Sequence, residues 1–429
     1  MLSPRRMRDA FAGIALLAAA SSPAAPVSLA ALTAGRTASA PELAGLAIVV
    51  AGPRGVVRAE AYGRAVIDPL DPTRERAMTV DTPVRVASVS KLVTALAVMR
   101  LVEAGTLDLD RDVSAYLGWP LRNPAFPGTA VTLRHLLSHT SGLDDASGYA
   151  FPLGVRMQEA LTPDHWSAAP GARFSYANIN YGVVATVMEA ATGERFDRLM
   201  TRLIFAPLRL DACFNWLGCS AAAARAAVLY RKGRDESAWD PAGLWVAQID
   251  DLRGRLPACP VRTLPGAACD LAAYRPGDNG TLFSPQGGLR ISVADLATIG
   301  RLLLGYGKVD GVRLLTRASV AMMLAPVWRG GAAGETYHGQ MRCWGLGVQC
   351  LTGAAGEGDQ PVAGRQVRWN GHLGEAYGLY SGLWIDRAHR RVFAYAITGT
   401  AADPAGFPGR YSAFPSFEEV VLTDLATPR

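Results

Sequence analysis

Val86-Ala87-Ser88-Val89-Ser90-Lys91 opens the stretch whose reading decides the fold, and it runs on to Gly105. Val89, Leu92, Val93, Leu96 and Met99 recur at helical spacing and Gly105 stops the pattern, so Ser88 opens a helix. Amides at a helix N-terminus lack intrahelical partners and favour negative charge, which an oxyanion in acyl transfer requires. Lys91, three residues on, lies on the same helix face as the Ser88 hydroxyl, at the edge of the buried stripe. A partly desolvated lysine can lose its proton and act as a base toward serine, whereas arginine cannot. Of the 43 Lys and Arg residues only Lys91, Lys232 and Lys308 are lysines, and neither of the other two has Ser three positions before it. A chain of this length shows about one S-x-x-K by chance at ordinary frequencies, so the scarcity of lysine gives this one its weight.

Two further elements carry polar chemistry. Pro170-Gly171 leads into Phe174-Ser175-Tyr176-Ala177-Asn178, ahead of a helix pattern at Tyr181, Val184, Val187, Met188 and Ala191 that stops at Gly193. The turn presents Tyr176, a proton relay if nearby cations favour its phenolate, together with Asn178, whose amide offers a donor and an acceptor to a substrate. Alone, such a Tyr-x-Asn reads as a structural turn. Trp369-Asn370-Gly371-His372-Leu373-Gly374-Glu375 follows at the end of an apolar strand pattern starting near Val367, where flanking glycines let a substrate approach the backbone.

Outward from these elements the frame is legible. Leu46 to Val50 and Val56 to Tyr62 form a strand pair across Gly52-Pro53-Arg54-Gly55, and Leu383 to Asp386 with Val392 to Thr398 form a hairpin across Arg387 to Arg390. Phe414 to Leu425 is long enough for a closing helix, and helical patterns at Thr132 to Ser138, Tyr181 to Ala191 and Val293 to Leu304 lie between the ends. Strands at both termini with helices between them predict an α+β fold: one antiparallel sheet built from both chain ends and flanked by helices, with an inserted, mostly helical lobe. The expected organisation is a signal peptide over 1–30, a tether of small residues over 31–42 and one hydrolase domain over 43–429. Its sheet lobe covers about 43–115 and 290–429, and its helical lobe about 116–289.

These motifs resemble the serine β-lactamase and penicillin-binding, or D,D-peptidase, superfamily, whose signature includes S-x-x-K. The likeness is to its class C β-lactamases, D,D-carboxypeptidases, D-aminopeptidases and esterases, where the second motif is Tyr-x-Asn and the third is often His-x-Gly. It runs from about Leu43 to the C-terminus. It takes in Leu133-Arg134-His135-Leu136-Leu137-Ser138-His139-Thr140-Ser141-Gly142-Leu143 and Phe283-Ser284-Pro285-Gln286-Gly287-Gly288-Leu289. The resemblance implies a β-lactamase/transpeptidase-like fold and a serine hydrolase in which Ser88 is acylated, Lys91 and Tyr176 share the proton transfers and Asn178 holds the substrate amide. It further implies an oxyanion hole from the backbone N–H groups of Ser88 and Glu375, with Gly374 beside it. His372 and Leu373 stand where many relatives have a lysine and a hydroxyl residue that help hold a substrate carboxylate. With a neutral imidazole there, uncharged esters or amides are expected to be better substrates than penicillins or cephalosporins, until acid charges His372.

Composition bounds the alternatives. The chain has 429 residues, 50% hydrophobic and 19% charged, enough for a sizeable core, and its net charge of +6 is spread without a nucleic-acid patch. Arg5, Arg6 and Arg8 before the apolar run Ala10 to Ala20, with candidate cleavage sites such as Ser28-Leu29-Ala30, read as an export signal too short to span a bilayer. The expected location is periplasmic or secreted, with no membrane span after signal removal. Six cysteines, at 213, 219, 259, 269, 343 and 350, suit an oxidising compartment. Cys213 with Cys219 and Cys259 with Cys269 are near in sequence, whereas Cys343 and Cys350, if on one extended strand, would stand about 23 Å apart. No serine has glycine at both second-neighbour positions, which excludes a nucleophile elbow, and His135 with His139 lacks the glutamate of a zinc-protease motif. The expected partner is a small-molecule or peptide substrate, with neither metal nor cofactor. The competing function is a catalytically silent acyl-binding or sensor module on the same fold.

Overall fold

The computed structural model describes residues 27–220, 225–233, 238–330 and 336–428. Among these, nine strands form one antiparallel sheet in the order Trp328–Arg329, Cys343–Trp344, Gln349–Cys350, Asn370–Ala376, Leu379–Asp386, Arg391–Ile397, Gly45–Gly52, Gly55–Val66 and Arg76–Ala77. The first long strand of the chain therefore pairs with one from its far end, Leu46 opposite Ile397 through Ala51 opposite Val392. That closure of both ends into one sheet matches the expected architecture.

Strand periodicity decides what each face of the sheet covers. Ala47, Val49 and Ala51 point into the larger core with Val392, Ala394 and Ala396, beneath the helix Val293–Leu304. Gly300 of that helix sits where a Cβ would meet Val392 at 2.3 Å, so the missing side chain lets helix and sheet approach closely. Leu46, Ile48 and Val50 point the other way, onto Phe417, Val421 and Leu422 of the helix Ser416–Ala426. Leu29 and Leu32, from a short helix at Leu29–Thr33, belong to this second cluster and are buried. The segment expected to be the end of a leader and a free tether is thus packed from Leu29 onward. The rest of the leader reading, over residues 1–26, lies outside the described residues.

One local expectation is corrected. Cys343 and Cys350 are bonded, with Cα atoms 5.0 Å apart, because the segment between them turns back instead of extending. Trp344 pairs with Gln349 across a turn that holds Gly345 and Gly347, the latter at φ +69°. The strand pattern read from near Val367 corresponds to Asn370–Ala376, which pairs along its whole length with Leu379–Asp386. Cys213 with Cys219 and Cys259 with Cys269 are also bonded. The inserted lobe carries helices at Leu133–Leu137 and Ile179–Thr192. It also carries short strands at Cys213–Phe214, Leu229–Gly233 and Leu244–Ile249.

Candidate active site

Ser88 sits at the mouth of the helix Val89–Glu103, which is buried nearly all round and not along one stripe. Ala87 before it holds φ +42°, a left-handed conformation that a non-glycine residue adopts only when its surroundings impose it. The imposing contacts come from two sides. Ser90 Oγ donates to Ala87 O at 2.6 Å and accepts from Leu289 N–H at 3.1 Å, and Ser381 Oγ donates to Val86 O at 3.0 Å. Ser88 Oγ makes no capping bond to its own helix, which leaves the hydroxyl free for other use.

Lys91 is completely buried, and its Nζ lies 3.0 Å from Ser88 Oγ, 2.8 Å from Asn178 Oδ1 and 3.0 Å from Gln286 O. Burial lowers this ammonium to about pKa 7, against a smaller upward pull from Asp145. The neutral amine has two N–H donors and one lone pair. The two carbonyl oxygens can only accept, so they take both donors and leave the lone pair for the Ser88 hydroxyl. Thr94 Oγ1, bonded to Pro285 O at 3.1 Å, stitches the Gln286 loop to the serine helix and so fixes one of those carbonyls.

Tyr176 and Asn178 arrive from the turn before the helix Ile179–Thr192. Asp145 caps that helix: its carboxylate accepts from the backbone N–H of Asn178 and of Ile179, at 2.8 and 2.9 Å, and from Asn178 Nδ2 at 2.9 Å. The Asn178 amide is therefore engaged at both ends, by Asp145 and by Lys91, while a second N–H and a second lone pair remain and the residue lines the cavity described below. The Tyr176 ring stacks on His139, centroids 4.3 Å apart, while Lys91 Nζ stands 4.8 Å from the Tyr176 ring centroid. Loss of hydration pushes the Tyr176 phenol well above its ordinary range, and the Ser88 hydroxyl offsets only part of this. The phenol therefore keeps its proton, whereas the surroundings of Lys91 loosen one.

The strand Asn370–Ala376 brings its residues to the site on alternating faces. Gly374 lies so near the serine loop that a Cβ would stand 2.5 Å from Val86 O and 3.2 Å from Ser88 N. Leu373 and Glu375 line a cavity of about 470 Å3 together with Ser88, Tyr176 and Asn178. His372 does not line it. The imidazole is fully buried, its Nδ1 is 2.5 Å from Leu373 O, and it packs edge-on to Trp344. Burial, with Lys91 nearby, lowers it to about pKa 3. The expected substrate-facing imidazole, charged by mild acid, is therefore corrected.

Several site residues gave no sequence signal of their own. Asp145 stands just past the quoted Leu133–Leu143 stretch, and the carbonyl of Gln286 within the second stretch acts through its backbone. Arg85, Tyr149, Arg231, Tyr337 and Tyr377 reach the cavity from separate segments. Only the fold brings these together.

A serine nucleophile candidate hydrogen-bonded to a buried lysine of lowered basicity, at a helix mouth on an antiparallel sheet, defines an active-site-serine hydrolase. A β-lactamase family model matches residues 32–413. The chain belongs to the β-lactamase family. It is 29% identical over 306 residues to penicillin-binding protein 4 of Amycolatopsis lactamdurans, covering 68% of this chain and 69% of that one. It is also 29% identical over 336 residues to esterase EstB of Burkholderia gladioli, covering 71% and 80%. Among solved structures, a D-stereospecific amidohydrolase from Streptomyces sp. shares the fold, with TM-score 0.60 at 19% identity over 93% of this chain and 97% of that one.

Proposed function

We propose that this enzyme hydrolyses esters or amides through an acyl-enzyme on Ser88. Neutral Lys91 accepts the Ser88 proton as Oγ bonds to the substrate carbonyl carbon. The resulting oxyanion lies between the backbone N–H groups of Ser88 and Glu375. As the carbonyl–leaving-group bond breaks, Tyr176 gives its proton to the departing oxygen or nitrogen, and the Lys91 ammonium reprotonates the phenolate. Water then attacks the acyl group with the same residues in reverse order. Asn178 and Asp145 act as positioning residues that hold Lys91.

The observation that carries this reading is the Lys91 Nζ environment, two acceptor-only carbonyls and one hydroxyl. The relatives' names, a penicillin-binding protein and an esterase, give the range of acyl donors to try. Export to an oxidising compartment belongs to the same proposal, supported by three disulfides. The test combines an activated ester with a serine-reactive phosphonate. Wild type should turn over the ester and take one label, and Ser88→Ala should do neither. Label without turnover in wild type would instead establish the silent sensor.

A further inference from the structure

Arg85 is the second residue of the two-residue strand Val84–Arg85, which pairs with Leu289–Ile291 and ends three positions before Ser88. It lines the cavity and is only 8% exposed. Nε donates to Gly287 O at 2.8 Å, and the guanidinium lies over the Tyr377 ring, 4.9 Å from its centroid. Those contacts fix the plane of the group. They leave both terminal nitrogens without a partner among the described residues, yet neither is sealed from solvent, so they open to the cavity.

Two other arginines are comparably buried, and each has a carboxylate. Arg290 pairs with Asp250 at 2.8 and 3.2 Å, and Arg301 pairs with Asp310 at 2.5 and 2.7 Å. Arg85 has no ion pair among the described residues: the carboxylate that acts on it most, Asp250, is already engaged by Arg290, and the phenols of Tyr149 and Tyr377 are neutral. A buried cation without a counter-charge is unfavourable, and the guanidinium fork matches a carboxylate bidentately. Glu375 is the one carboxylate that lines the cavity among the described residues.

We propose that Arg85 recognises a free carboxylate on the substrate, so that the acyl donors preferred by Ser88 are carboxylate-bearing esters or amides. This rests on the Ser88 reading and replaces the expected preference for uncharged substrates, which depended on His372.

The test uses two matched pairs of aryl esters. One pair places the charge on the acyl side, 4-nitrophenyl hydrogen adipate against 4-nitrophenyl hexanoate. The other places it on the leaving group, 3-carboxyphenyl hexanoate against its methyl ester. In wild type kcat/KM should favour the charged member of at least one pair by about tenfold or more, and the favoured pair tells which side of the substrate Arg85 reads. Arg85→Gln should lower that charged-to-neutral ratio by about tenfold, with Arg85→Lys between the two. A wild type without such preference, or a ratio in Arg85→Gln within twofold of wild type, overturns the proposal while leaving Ser88 catalysis standing. A wild type that turns over none of the four esters and takes no phosphonate label defeats the Ser88 reading itself. Should Arg85→Gln not fold, wild-type inhibition decides: adipate should compete with the hexanoate ester about tenfold better than adipamide, and equal potency refutes carboxylate recognition.

Discussion

At the scale of single residues, the decisive feature is a lysine whose hydrogen bonds leave one lone pair and direct it at a serine. Lys91→Arg keeps the charge but cannot provide a base, and kcat should fall by about 10²–10⁴-fold, the usual worth of general base catalysis. Retention of wild-type kcat would make Lys91 structural. Below about pH 7 the amine holds its proton and cannot accept another. Activity should therefore fall as the pH drops through 7, by about tenfold per unit well below it, and level off above. A kcat/KM profile flat from pH 5 to 8 would contradict this. His372 behaves differently, because its folded-state pKa near 3 keeps it neutral at pH 6. His372→Lys would bury a second ammonium beside Lys91, and it should destabilise the fold by about 3 kcal/mol or more in denaturant unfolding without improving carboxylate recognition.

At the scale of elements, Asp145 holds the start of the helix Ile179–Thr192 with three hydrogen bonds, two of them to backbone N–H groups. Asp145→Ala should lower stability by about 1–2 kcal/mol, as loss of a helix cap does. It should also reduce kcat more than it raises KM, because Asn178 loses its orientation toward Lys91. Loss of stability with wild-type kcat would make Asp145 a cap alone. Helix starts and stops were legible in the sequence because capping residues and glycine stops act locally: Val293–Leu304 is where its pattern places it, and Gly193 at φ +69° ends its helix as expected. Side-chain direction was not legible. Which of His372 and Leu373 faces the substrate is a matter of strand register, set by pairing with Leu379–Asp386, ten or so residues away. Cys343 and Cys350 were misplaced for the same reason, since a hairpin and a strand can share one short apolar segment.

At the scale of the whole molecule, the sheet is closed by pairing Gly45–Gly52 with Arg391–Ile397, and the Leu29–Thr33 helix seals one of its faces. Removing Leu29 would forfeit about 1.5–3 kcal/mol of apolar burial. On the proposed export, the mature protein should therefore begin before Leu29, and N-terminal sequencing that finds a start after Ala30 would contradict this packing. Ser88, Lys91, Tyr176 and Gly374 could be proposed as a set from motif order, because each lies in a short distinctive string. Arg85 and Asp145 could not: what distinguishes them is a missing partner in one case and a distant one in the other. Both are properties of the assembled chain.

The central claim, an acyl-enzyme on Ser88 formed with Lys91 as base, is tested most directly by acid-quenching wild-type protein during turnover of an activated ester and mapping the adduct by peptide mass. The account predicts one acyl group on the peptide containing Ser88, with the trapped fraction strongly reduced in Lys91→Arg at matched times. An acyl group on any other residue, or equal acylation of Ser88 in Lys91→Arg, would contradict it.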